Sequence, residues 1–218
     1  MRFPRRRIAV TYPLANAPLI WRLTLEHLQI SVVSCLLAIL TACPLGVLVS
    51  RVRWLAPSVL ATAGIFYTIP SVALFALLIP VMGLGMKPTV FALVLYSQLA
   101  LIRNTAVGIG EVDAALLQAA QGMGMTNLQR FWRVEVPLAI PVIFAGVRTA
   151  TVMAIGLASI AAYIGAGGLG VLIFQGISTG NTEQVLTGAV AVSILALLAD
   201  AILASVQAGL RWSMGMHP

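Results

Sequence analysis

Charge is what this sequence has least of. Lys, Arg, Asp and Glu make up 9% of the 218 residues, and only six are acidic. A soluble domain carries about 25% charged residues to cover its surface. That cover is missing here, and lipid is the solvent that tolerates what is left. Cysteine and histidine are scarce too, at two each. This excludes a disulfide framework and a readable zinc site, so no metal is expected. Cys35 and Cys43 read as small packing residues of the first apolar stretch. No HExxH, no G-x-S-x-G and no paired catalytic carboxylates occur, which argues against an intramembrane enzyme. The G-x-x-x-x-G-K-[ST] loop is also missing, so no nucleotide chemistry is expected on this chain.

Apolar residues account for 60% of the chain, and the mean hydropathy is +1.01. Five apolar stretches are readable, at Gln29–Ser50, Ser58–Met82, Thr89–Ile109, Leu138–Tyr163 and Val185–Gly209. Each is long enough to cross about 30 Å of hydrocarbon at about 1.5 Å per residue. The expected fold is all-α: a polytopic bundle of about five transmembrane helices. Pro70 and Pro80 fall in the second stretch and predict a kink, with neighbouring helices satisfying the freed carbonyls. Gly146, Ala150, Ala154, Gly156 and Ala158 would let helices approach closely. Gly165, Gly167 and Gly170 fit the spacing G-x-G-x-x-G, but they follow a span and no βαβ unit is available. A tight turn before a short re-entrant or interfacial helix at Leu169–Ser178 is expected instead.

The net charge of +7 follows membrane topology, not a nucleic-acid surface, for no basic aromatic face is present. Arg51 and Arg53, then Arg103, Arg130 and Arg133, then Arg211 flank loops that share one side in a five-span chain. The opposite loops hold Lys87, and no Lys or Arg lies between Ile164 and Gln184. Positive-inside bias makes the first side cytoplasmic, with the C-terminus inside and the N-terminus outside. Arg2, Arg5, Arg6, Arg7 and Arg22 then run against the bias. They read as an interfacial arm, or as sequence ahead of a later start. Tyr12 and Pro13 interrupt any signal-like core, so cleavage is not expected. The organisation is an arm over 1–21, a membrane domain over 22–212 and a tail over 213–218.

The loop at 111–137 is the least lipid-like long stretch after the arm. Asp113 is placed to cap a helix. Leu116, Ala119, Ala120 and Met123 fall at i, i+3, i+4 and i+7 and give a shallow apolar face. Gly122 and Gly124 are expected to end that helix. Thr126 and Gln129 form a capping-box pattern for a second one, and Pro137 marks entry to the fourth span. A helix, a glycine turn and a second helix suit docking into a groove of another protein; a solvated loop is the alternative.

This spacing resembles the signature loop of ABC importer permeases: Glu-Ala-Ala, three residues, Gly, nine residues, then Ile-x-Leu-Pro. Here it reads Gln118-Ala119-Ala120, Gly124, then Val134-x-Val136-Pro137. Gln118 replaces the usual Glu, which puts a salt bridge from that position in doubt. Further stretches resemble the branch for quaternary-amine osmoprotectants such as glycine betaine, carnitine and choline. They are Thr24-Leu-Glu-His-Leu-Gln-Ile-Ser31, Tyr67-Thr-Ile-Pro-Ser71, Arg103-Asn-Thr105, Gly122-Met-Gly-Met-Thr126, Gly146-Val-Arg-Thr-Ala150 and Ile164-Gly-Ala-Gly-Gly-Leu-Gly170. The resemblance implies a MetI-like permease in a bacterial inner membrane. It also implies two ATP-binding cassette subunits, which hold the ATP and Mg, and an external solute-binding protein. A second permease copy or a paralogue completes the pathway.

Arg148 and Asp200 are the ionisable residues deepest in the spans. Arg148 lies eleven residues after Pro137 and Asp200 eleven residues before Arg211, so each is about 16 Å up from the same face. Intramembrane charges are usually paired, so the two are expected to pair or to share a polar cluster that includes Gln98. A structural clamp and a moving gate are the two readings. Tyr67, Tyr96, Gln98 and Tyr163 are candidates to line the solute path, with packing or interface anchoring as the alternative. Glu26 and His27 are expected at the outer interface, without a role.

Overall fold

The computed structural model describes residues 11–213, and the arginines at 2, 5, 6 and 7 and the tail at 214–218 lie outside them. The described chain is helical: α1 (Thr11–Ala15), α2 (Ala17–Arg51), α3 (Ala56–Thr68), α4 (Ser71–Met82) and α5 (Met86–Gly110). Then come α6 (Ala114–Gly122), α7 (Asn127–Arg130), α8 (Val136–Ala161), α9 (Gly170–Thr179) and α10 (Thr182–Ser213). No strand occurs among the described residues. Four continuous helices are long and apolar enough to cross a bilayer: Ala17–Arg51, Met86–Gly110, Asn127–Ile164 and Thr182–Trp212. Taken together as one broken span, α3 and α4 make a fifth.

Three boundaries depart from the sequence reading. α2 starts at Ala17, inside the stretch read as an arm, and twelve residues before the expected Gln29. Leu19, Ile20 and Leu23 explain this, because they pack with Leu169 and Leu172. The second stretch is broken where a kink was expected. Ile69 and Pro70 are both extended, at ψ 129° and 132°, as the residue before a proline prefers. The fourth span has no separate entry at Pro137. A π-turn at Phe131–Glu135 joins α7 to α8, and the helix runs unbroken from Asn127 to Ile164.

The described chain folds as two compact units, one of residues 11–34, 70–93 and 154–197 and one of residues 35–69, 94–153 and 198–213. The second has a core of small residues, with Ala38, Ala42, Ala63 and Ala150 around Leu101 and Ile102. The helices there come close enough to require glycine. A Cβ on Gly146 would lie 2.7 Å from the Asn104 Cβ. Packing at this distance replaces the hydrophobic drive that lipid does not supply. In the first unit, Leu23, Leu169 and Leu172 form one cluster and Ile30, Leu93 and Ala158 another.

Span hydroxyls turn back on their own helices. Thr24 bonds Ile20 O, Ser31 bonds His27 O and Ser205 bonds Ala201 O. A polar group without water takes the i−4 carbonyl as its nearest partner. The four tryptophans Trp21, Trp54, Trp132 and Trp212 are all exposed near helix ends, as interfacial anchors are.

Candidate functional site

The loop between α5 and α8 is built from local caps. The Asp113 carboxylate accepts from Ala115 N at 2.8 Å and starts α6. α6 ends at Gly122, as expected. Gly124, two residues on, is the left-handed residue that turns the chain away, with φ of +78°. Gly124 N donates to Gln121 O at 2.9 Å and Met125 N to Ala120 O at 3.2 Å. That bond pair is a Schellman motif, and it needs a left-handed residue at the Gly124 position. Thr126 and Gln129 then close a capping box, with bonds of 2.9 and 3.3 Å. Of the predicted apolar face only Ala120 is buried; Leu116, Ala119 and Met123 are exposed, as is Gln118. An outward apolar face beside a capped turn is a surface available to another protein.

Behind the loop lies a charge cluster that sequence reasoning missed. Glu135 is 1% exposed and meets two arginines. The Arg51 guanidinium, at the end of α2, donates to Oε2, and Arg130 Nε donates to Oε1 at 3.2 Å. Arg51 also stacks 5.7 Å from the centre of the Phe131 ring. Glu135 occupies the x of Val134-x-Val136, which the pattern leaves open. The π-turn adds a residue to the helical turn, so the face presented before it is offset from the face after it. The cluster joins the end of the first long helix to the loop.

Deeper in the same unit, Arg148 and Asp200 form a two-pronged pair. Nε donates to Oδ1 at 2.9 Å and Nη2 to Oδ2 at 3.0 Å. The third member is Gln207, not Gln98. Arg148 Nη1 donates to Gln207 Oε1 at 3.0 Å, and Gln207 Nε2 donates to Pro141 O at 2.7 Å. Gln98 donates instead to Thr41 Oγ1 and Val94 O, because it sits on α5 beside Thr41. The pair is not enclosed. It lines a cavity of about 600 Å³ together with Tyr67, Ala145, Thr149, Val152 and Met153.

The tyrosines separate in kind. Tyr96 is buried, and its hydroxyl donates to Ile69 O at 2.5 Å, the carbonyl freed by the break before Pro70. Tyr67 is exposed to the cavity. Tyr163 is exposed and lies 5.7 Å from the Phe174 ring.

Glu26 and His27 are not idle interfacial residues. His27 is fully buried. Leu169 N can only donate, so its 3.2 Å contact makes His27 Nδ1 the acceptor. The proton is then on Nε2, which donates to Ile155 O at 2.9 Å. Glu26 Oε2 accepts from Gly168 N at 3.1 Å. Together they hold the Gly165–Gly170 turn, where Gly167 and Gly168 take positive φ. Glu-His at the foot of a span, matched to a glycine-rich turn, was the available signal.

Several helices long and apolar enough to cross a membrane, with a charged pair between two of them, define a polytopic α-helical membrane protein. The chain belongs to the family of binding-protein-dependent transport system inner membrane components, whose model matches residues 34–212. It is therefore a multi-pass permease of the bacterial inner membrane. It is 44% identical over 203 residues to the osmoprotectant import permease protein OsmW of Salmonella typhimurium, covering 91% of this chain and 94% of that one. It is 45% identical over 179 residues to the glycine betaine/carnitine/choline transport system permease protein OpuCB of Bacillus subtilis, covering 82% of each. Among solved structures, the MetNI methionine ABC transporter in an inward-facing conformation matches with a TM-score of 0.78 at 25% identity, over 88% of this chain and 95% of that one.

Proposed function

We propose that this permease carries small quaternary-amine osmoprotectants of the glycine betaine, choline and carnitine type into the cell. The observation that carries the reading is identity of 44–45% to permeases named for osmoprotectant, glycine betaine/carnitine/choline and choline transport, over more than four fifths of the chain. An external binding protein delivers the solute. Two ATP-binding cassette subunits hold the ATP and Mg, and this chain needs no cofactor. A second permease, a copy or a paralogue, supplies the other half of the pathway. The N-terminus is outside and the C-terminus cytoplasmic.

The loop at 111–137 is the coupling element. Its Schellman turn and capping box fix α6 against the start of the long helix, so a force on the exposed Ala119 side reaches the bundle with little lost to bending. Asp113, Leu116, Gln118, Ala119, Ala120, Met123, Gly124, Thr126 and Pro137 form this element, with Ala120 on its buried side. Gln118 is exposed and uncharged, so docking rests on shape and apolar contact. Gly124→Asp imposes a side chain on a left-handed residue and is expected to abolish co-purification of the ATPase while the permease still inserts. Unchanged association would overturn the docking assignment.

Substrate is tested by uptake of labelled glycine betaine, choline and carnitine into vesicles that hold the permease, its ATPase and its binding protein. Saturable ATP-dependent uptake of at least one is expected. Uptake of methionine alone would favour the solute class of the methionine transporter that shares the fold.

A further inference from the structure

The Arg148–Asp200 pair has an open side. Arg148 is 32% exposed and Asp200 39%, and what they face is a cavity, with Tyr67 on its wall. Charges at this depth are retained where they pair or face a path, and this pair does both. Arg148 is held independently of Asp200, through Nη1 to Gln207 and from Gln207 to the Pro141 carbonyl. The guanidinium therefore keeps its place when the carboxylate moves.

We propose that this cavity is a transit site for a zwitterion that carries a quaternary ammonium and a carboxylate. The ligand carboxylate takes the Arg148 prongs now held by Asp200. The ligand cation takes the released Asp200 and the face of Tyr67, an aromatic ring of the kind that binds quaternary ammonium. Two opposite charges exchange for two opposite charges, and no charge is left unpaired at any point. Such a site is weak by construction, because each new contact replaces one already made. Weak binding suits passage, where a solute must leave as readily as it enters. The cavity is several times the volume of such a solute, leaving room for water. The proposal rests on the osmoprotectant reading above and adds where in the membrane the solute is recognised.

The test compares two solutes that differ by one charge. Glycine betaine has a carboxylate and choline does not. Uptake is measured in vesicles under saturating loaded binding protein, for the wild type, Arg148→Gln, and the reversed pair Arg148→Asp with Asp200→Arg. Assembly with the ATPase is measured in parallel. Arg148→Gln is expected to lower glycine betaine uptake relative to choline by about tenfold. The reversed pair restores the ion pair and is expected to assemble as the wild type does. Its betaine-to-choline ratio is expected to stay low, because the ligand poles now meet like charges. A reversed pair that returns both uptakes to wild-type values would make the pair a structural clamp and overturn the proposal. Equal losses for both solutes in Arg148→Gln would do the same. Should the variants fail to assemble, equilibrium dialysis of labelled glycine betaine against the wild-type permease–ATPase complex decides. Saturable millimolar binding that Tyr67→Ala abolishes is expected, and its absence refutes the site. A wild type that transports none of glycine betaine, choline and carnitine would instead refute the osmoprotectant reading.

Discussion

At Glu135 both carboxylate oxygens meet arginines, from α2 and from α7. The carboxylate is buried and Arg51 is 43% exposed, and this asymmetry decides which change costs more. Arg51→Met leaves a buried charge half paired, which is expensive. Glu135→Gln leaves the amide oxygen to accept from one arginine, and Arg51, the more exposed of the two, can turn to water. Arg51→Met is therefore expected to cost about 2–3 kcal/mol and Glu135→Gln about 1 kcal/mol. The double variant should be more stable than Arg51→Met alone. Thermal unfolding of the purified complex checks the order, and strictly additive losses would mean the two side chains act separately.

At the scale of elements, the break between α3 and α4 depends on a partner from α5. Ile69 O has no helical donor at the break, and Tyr96 OH replaces it. Tyr96→Phe keeps the ring and removes that donor, so a loss of about 1–2 kcal/mol is expected, read as a lower melting temperature. Unaltered melting would mean that water reaches the carbonyl. What the sequence made readable follows a simple division. The Asp113 cap, the Gly124 turn and the Thr126 box involve residues at most five apart, so spacing alone revealed them. The depth match of Arg148 and Asp200 was readable because helix rise is constant. His27 was not, because its partners lie 128 and 142 residues away. The Glu135 cluster escaped for a similar reason, since Arg51 is 84 residues distant. Gln207 was hidden by its helix, where nothing local marks a glutamine that turns inward.

For the whole molecule, topology is the property that sets every functional assignment. With Cys35 and Cys43 replaced by alanine, single cysteines at Gln118 and Ser178 report the two faces. A membrane-impermeant maleimide is expected to label Ser178→Cys in intact cells and Gln118→Cys only after permeabilisation. The reverse pattern would turn the chain over and remove the coupling assignment with it. The 38 residues from Asn127 to Ile164 form one helix, about 57 Å long. Hydrocarbon accounts for only about 30 Å of that. The helix is thus longer than the hydrocarbon it has to cross. Under the coupling role proposed above, that surplus length is what a soluble motor would grip, among headgroups and water and outside the oil.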